Sequence, residues 1–324
     1  MTRYLLRRLL QIPIGLWVIG TIVFVLIHLA PGGPVVALSG EYATDDIRHE
    51  IERLYGLDRP LLEQYVTYLA SLASGHLGTS YLHKASVLDL VLERLPVTLA
   101  ILVPAAILSS FVATLIGLWS TPQAGARHRH GLPMLSLVAH SLPSFWVAQG
   151  LVLLFAFSLH WLPVQGLDDA RRAAPDLIDR LRHLVLPIMT LALHQIAMSA
   201  MTLRAALHAE VHRPYMTTAL AKGLTFAQAK YRHALVNALL PLIALFGGRL
   251  GSAFAGAIAV ETVFALPGLG RLIVSAATNR DHPLVLGAML LICLGAMIGN
   301  LIADIAMNRL DPRLQIEGGH AYHR

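Results

Sequence analysis

Apolar residues in this chain gather into six blocks, separated by shorter polar stretches. The blocks run roughly from Leu9 to Leu29, Val97 to Trp119, Leu132 to Leu159, Leu184 to Leu203, Ala234 to Val260 and Leu284 to Met307. Each supplies the ~20 residues that a helix rising about 1.5 Å per residue needs to cross a hydrocarbon core of ~30 Å. The pattern predicts an all-α membrane protein with six transmembrane helices. Pro13, Pro104, Pro143, Pro187 and Pro241 fall inside or at the ends of the blocks; in a membrane bundle, neighbouring helices and hydroxyl groups satisfy the carbonyls that proline frees. Between the first two blocks, Thr44 is placed to cap a helix whose first turn holds Asp45 and Asp46, with Ile47, Ile51 and Leu54 on one side. Gly56 and Pro60 interrupt it, and a second amphipathic stretch follows with Leu62, Tyr65, Val66 and Leu69 on one side.

Composition agrees with this reading. Hydrophobic residues make up 56% of the chain and charged ones 14%, and the mean hydropathy is +0.62, leaving too little polar surface to cover a water-soluble domain of 324 residues. Charge sets the expected orientation. With the N-terminus inside, 13 of the 25 Lys and Arg fall on the inner side: Arg3, Arg7, Arg8, Arg127, Arg129, Arg204, Arg213, Lys222, Lys230, Arg232, Arg309, Arg313 and Arg324. The positive-inside rule then puts both termini in the cytoplasm. The net charge of +6 is divided among membrane-flanking loops and forms no continuous stripe, which argues against nucleic acid as a partner. The first block is too long for a cleavable leader and ends at Ala30-Pro31-Gly32-Gly33-Pro34, so it reads as an anchor. A single cysteine, Cys293, excludes an internal disulfide.

The most informative segment is a basic, helix-prone insert between two apolar blocks. It contains Ala219-Leu220-Ala221-Lys222-Gly223-Leu224, preceded by Tyr215 and followed by Arg232-His233-Ala234-Leu235-Val236-Asn237-Ala238-Leu239-Leu240-Pro241. This order resembles the coupling loop, or EAA loop, of ABC-importer permeases of the dipeptide, oligopeptide and nickel branch. The resemblance extends along nearly the whole chain. It includes Leu29-Ala30-Pro31-Gly32-Gly33-Pro34, Gly75-His76-Leu77-Gly78-Thr79-Ser80-Tyr81, Arg94-Leu95-Pro96-Val97-Thr98, Ser141-Leu142-Pro143-Ser144-Phe145-Trp146, Phe264-Ala265-Leu266-Pro267-Gly268-Leu269-Gly270, Asn279-Arg280-Asp281-His282-Pro283 and Leu310-Asp311-Pro312-Arg313. Departures are Pro214 where an acidic residue is common, Thr217 where a basic one is, Gly33 for the usual aspartate, and Ala85-Ser86 for a Pro-containing step.

The resemblance implies a type I importer fold in the bacterial inner membrane. It divides the chain into an anchor helix with an extracytoplasmic segment (1–95), a core permease domain (96–312) with its coupling loop at 205–234, and a short tail (313–324). Its implied partners are a second, homologous permease, two cytoplasmic ATPases and an extracytoplasmic substrate-binding protein. A coupling helix including Ala219 to Leu224 would seat in an ATPase groove; Gly223 can take the left-handed backbone that ends a helix, and Lys222, Lys230 and Arg232 would reach acidic groups on the partner. No Gly-x-x-x-x-Gly-Lys-Ser/Thr loop occurs, so ATP and magnesium belong to the partner ATPase and this chain holds no cofactor and no catalytic residue.

Other candidates are weighed on chemistry. Leu38-Ser39-Gly40-Glu41 looks like part of an ATPase signature but lies outside any nucleotide context. His208 and His212 share a helical face with Glu210 between them; with no third ligand evident they read as a solvated helix end, not a metal site. Polar groups inside the apolar blocks mark a cavity or a helix contact. These are His140 and Ser144 in the third, His194, Gln195 and Ser199 in the fourth, Arg249 and Ser252 in the fifth with Glu261 at its outer end, and Asn300 and Asp304 in the sixth. Peptides are the first choice of cargo, and nickel or a nickel chelate is the alternative. From another class stands a proton-coupled transporter using His194, Arg249 and Asp304 as a relay.

Overall fold

The computed structural model describes residues 2–29, 35–36, 43–121, 131, 141–169 and 176–310; for 2–9, 27, 55, 246–250, 252, 308 and 310 it describes the backbone alone. Among these residues there is no strand, only an isolated bridge between Thr79 and Ser86. Helices stand at all six apolar blocks, the third block being described only from residue 141 on. Three helices, at Val87–Ser120, Leu177–Val211 and His282–Met307, are by themselves long and apolar enough to cross a membrane. The chain forms two compact units, Met1–Pro96 with Gly268–Met297, and Val97–Pro267 with Ile298–Arg324.

In the first unit, α1 (Thr2–Leu29) runs through Pro13 without ending. Thr44 precedes α2 (Asp45–Tyr55) with extended backbone, but its side chain makes no capping hydrogen bond, contrary to expectation; the acidic first turn is left to complement the helix dipole. Gly56 ends α2 in the left-handed region at φ 65°, and Leu57 N–H donates back to Glu52 at 2.8 Å. α3 (Leu61–Ala73) lies on α1 through Thr21 Oγ1 and Tyr65 OH at 2.7 Å, His28 Nε2 and Gln64 Oε1 at 3.1 Å, and an edge contact between Phe24 and Tyr65. Its inward face is therefore Tyr65, Tyr68, Leu69 and Leu72, whereas Leu62 and Val66, expected inside, are exposed. Tyr65 meets a polar partner on α1, whereas Tyr68 packs its ring near Phe24 and buries its hydroxyl without a hydrogen bond.

Asp281 organises the rest of this unit. It is 1% exposed, and it accepts from Ser80 Oγ at 2.5 Å, Tyr81 N at 3.1 Å, Leu82 N at 3.2 Å and Leu284 N at 3.4 Å. It follows α11 (Leu269–Thr278) and is the N-cap of α12 (His282–Leu310), so one carboxylate closes a helix end and fixes a loop 200 residues away in sequence.

The second unit begins within α4 (Val87–Ser120) and contains α5 (Ser144–Leu151), which continues in wide π-type turns through Val152–Ser158. Asp176 caps α6 (Leu177–Val211) by accepting from Ile178 N at 3.2 Å, and Pro187 lies inside that helix. α7 (Pro214–Ala221), α8 (Phe226–Ala229) and α9 (Leu235–Ala238) are short, and α10 (Leu240–Val263) follows. α5, α6 and α10 pack on one another. α4 keeps a stripe of exposed large residues at Leu92, Leu99, Val103, Ile107, Phe111, Leu115 and Trp119, mostly four apart. An outward apolar stripe of that length is the surface of a helix whose solvent is lipid or another membrane helix.

The hairpin between α6 and α10 and the buried polar groups of the helices

The polar insert folds as a compact helical hairpin. Pro214 opens α7 at its first position, where its fixed φ and missing N–H suit the start of a helix. One face of α7 carries Met216 and Ala219, 2% and 6% exposed. They pack with Leu203, Leu207 and Val211 of α6, Leu118 of α4, and Ala229, Ala234 and Ala238. Burial of the Met216 side chain alone stabilises by about 1.5–3 kcal/mol, and the alanines let short helices approach closely. The other face, Thr217, Thr218, Leu220 and Ala221, is exposed.

The helix stops at Lys222. Gly223 adopts φ 88°, its N–H donates to Leu220 O at 2.9 Å, and Leu224 N donates to Ala219 O at 3.3 Å. A Cβ on Gly223 would meet nothing within 4 Å, so the glycine serves the backbone and not packing. The expected helix over Ala219 to Leu224 is thereby corrected: it covers Pro214–Ala221, and Leu224 lies beyond the turn, half-buried against the core. Thr225 then opens α8 with a reciprocal cap, Gln228 N to Thr225 Oγ1 at 3.3 Å and Thr225 N to Gln228 Oε1 at 3.0 Å. Wide π-type turns over Lys230–Ala234 lead into α9.

Two predicted residues meet here. Tyr215 OH donates to Glu210 at 2.5 Å and receives Asn237 Nδ2 at 3.5 Å. Burial, then the hydrogen bond to Glu210, raises the phenol above its ordinary value of 10.0. Lys222, Arg232 and His233 are exposed, as is Pro241 in the first turn of α10. Lys230 differs from expectation. Its Nζ turns inward and donates to Leu118 O at 2.7 Å and Thr121 O at 3.1 Å, 5.7 Å from the centre of the Phe226 ring. The lysine therefore does not extend toward a partner; the unsatisfied carbonyls at the end of α4 draw it in.

Among the described residues, the polar groups in the helices engage separate partners. Glu261, expected to meet cargo or gate an opening, is fully buried and accepts from Thr98 Oγ1 at 2.6 Å. Ser109 Oγ donates to Gln195 Oε1 at 3.5 Å across α4 and α6; Ser199 is 3% exposed and His194 half-buried on the same helix. Ser144 is half-buried at the start of α5, Asn300 half-buried on α12, and Asp304 9% exposed one turn further. Arg249 and Ser252 stand on α10 with only their backbone described; His140 and Leu38 to Glu41 lie outside the described residues. The rings of His208 and His212 lie tilted to each other with centres 4.7 Å apart and His212 Nδ1 2.7 Å from His208 O, and no group of three metal-binding side chains occurs among the described residues.

Ser109 was not among the sequence candidates, and the partners that Thr98, Glu210 and Asp281 find were not foreseen. Only Asp281 left a signal: an Asp two residues before Pro283 marks a capped helix start.

Comparison with known proteins agrees with this architecture. Residues 113–316 match the family described as binding-protein-dependent transport system inner membrane component, and residues 1–102 match the N-terminal model of such membrane components. The chain belongs to this family of transporter permeases. It is 34% identical to the di/tripeptide transport system permease protein DppB of Pseudomonas aeruginosa, over 97% of this chain and 99% of that protein. It is 32% identical to the oligopeptide transport system permease protein AppB of Bacillus subtilis, over 97% and 100%. A third relative, at 33% over 96% and 99%, is the probable peptide ABC transporter permease protein y4tP of Sinorhizobium fredii.

Proposed function

We propose that this chain is the permease subunit of an ATP-driven peptide importer. It crosses the inner membrane six times with both termini in the cytoplasm, pairs with a second permease, and receives cargo from an extracytoplasmic binding protein. The hairpin over 214–238 seats on a cytoplasmic ATPase. ATP binding there favours one of two conformations, so the pathway opens alternately to either side; the nucleotide shifts that equilibrium by its preference for one state. Permease relatives named for peptides, similar over their whole length, carry the reading. The exposed outer face of α7 and the basic residues Lys222 and Arg232 support the docking role.

The complex captured through a tag on this chain, reconstituted in vesicles with its binding protein, is expected to accumulate labelled di- and tripeptides only when ATP is supplied. Accumulation driven by a proton gradient without ATP would sink the importer reading. Accumulation of nickel and not peptides would overturn the cargo assignment alone.

A further inference from the structure

Two carbonyls near the end of α4 accept hydroxyls from Ser120 and the residue that follows it. Ser120 Oγ donates to Ile116 O at 2.6 Å, and Thr121 Oγ1 to Gly117 O at 2.8 Å. The next carbonyl, that of Leu118, receives Lys230 Nζ, which also reaches Thr121 O. Of these three donors only Lys230 comes from another element, 112 residues on in sequence. A cation at a helix C-terminus meets both the orphan carbonyls and the negative end of the dipole. The surroundings hold the pair in place. Gly117 sits so close to α6 that a Cβ would lie 3.0–3.1 Å from Leu203 Cδ2 and Cγ, while Leu118 joins the apolar core of the hairpin.

We propose that Lys230 is a positioning residue for energy coupling: it ties the hairpin to the end of α4, so that a push on α7 moves α4 along with it. Apolar contacts alone allow α7 and α8 to slide over Leu118 and Leu203, because such contacts have no preferred direction. The two hydrogen bonds from one ammonium do have one, and they convert a packed joint into a fixed one. The inference rests on the reading of the hairpin as the ATPase-facing element.

Hydrogen exchange on the tagged complex tests it without knowledge of the cargo. Exchange over 214–221 and over 112–121 is followed with and without a non-hydrolysable ATP analogue. Both segments respond in the wild type. In Lys230→Met the response of 214–221 remains and that of 112–121 falls about fivefold, while Lys230→Arg, which keeps the charge and the donors, restores it. A merely structural lysine would diminish both responses together, and that result overturns the tie, as does an undiminished response of 112–121 in Lys230→Met. Should Lys230→Met fail to assemble, Lys230→Gln, able to donate to one carbonyl, gives the same comparison. Absence of any nucleotide response in the wild type overturns the ATP-driven reading, and the tie with it.

Discussion

The hairpin over 214–238 and the junction at Asp281 each bind helix ends together, by opposite means. The hairpin rests on many small apolar contacts, with Met216, Ala219, Ala229, Ala234 and Ala238 sharing the burial. The junction rests on one carboxylate that serves Ser80, Tyr81, Leu82 and Leu284. Shared burial degrades by degrees when one contact is lost. A single buried acceptor fails at once, because all its donors lose their partner together, and those of Ser80 and Leu284 belong to buried residues.

Mutations at each place make the contrast measurable. Asp281→Ala carries the largest effect, about 3 kcal/mol or more, since it strands a hydroxyl and backbone amides. It should appear as a lower thermal unfolding midpoint of the detergent-purified permease, with Asp281→Asn, which retains an acceptor oxygen, losing less. Ala219→Leu in the hairpin is expected to lose about 1–3 kcal/mol by overpacking; a loss matching that of Asp281→Ala would erase the distinction. Gly223→Val comes next, at about 1–2 kcal/mol from forcing a side chain into the left-handed region. Its packing is harmless, so the protein reaches the membrane in normal amount on an immunoblot while ATP-driven uptake is lost. Gly223→Asn, tolerant of that backbone, recovers part of the uptake.

The smallest effects are two tyrosine titrations. Burial beside α1, aided by Tyr65, pushes Tyr68 up to about 12, and Tyr215 is raised by burial and Glu210. Both phenols are neutral in the folded form beyond the pH at which they ionise when unfolded. Their contribution to stability is thus complete below pH 10, the unfolded value, and drains away as pH climbs through the folded one. Absorbance at the phenolate band, with Tyr68→Phe and Tyr215→Phe for subtraction, should show Tyr68 ionising near 12, and Glu210→Gln should bring Tyr215 back toward 10. An unmoved Tyr215 in Glu210→Gln would remove Glu210 from the hairpin's account.

Much of the architecture was legible because lipid imposes a length. Apolar runs of about 20 residues announce a spanning helix wherever they occur, and the turn at Gly223 was legible because few residues but glycine accept its φ of 88°. What escaped depends on direction in space. Basic residues set an expected sidedness, yet the sign of Lys230 says nothing of whether it points outward or back to Leu118. Glu261 looked like a residue at a rim until Thr98 of another helix covered it. The loop at Ser80 and the cap at Asp281 lie 201 residues apart, beyond any local pattern. α3 misled because periodicity alone ranks Leu62 and Val66 with Tyr65, whereas the contacts of Gln64 with His28 and of Tyr65 with Thr21 turn a different side toward α1.

The wide turns over Lys230–Ala234 have a consequence for how the gene can vary. A π-type turn holds one residue more than α winding requires. Loss of a single codon between 231 and 234 would return the ladder to α winding, with Leu235 and its successors keeping their facing. Elsewhere in a helix the same deletion would rotate everything downstream by about 100°. The seam between hairpin and spanning helix is thus a place where related genes can differ in length and still present Asn237 to Tyr215.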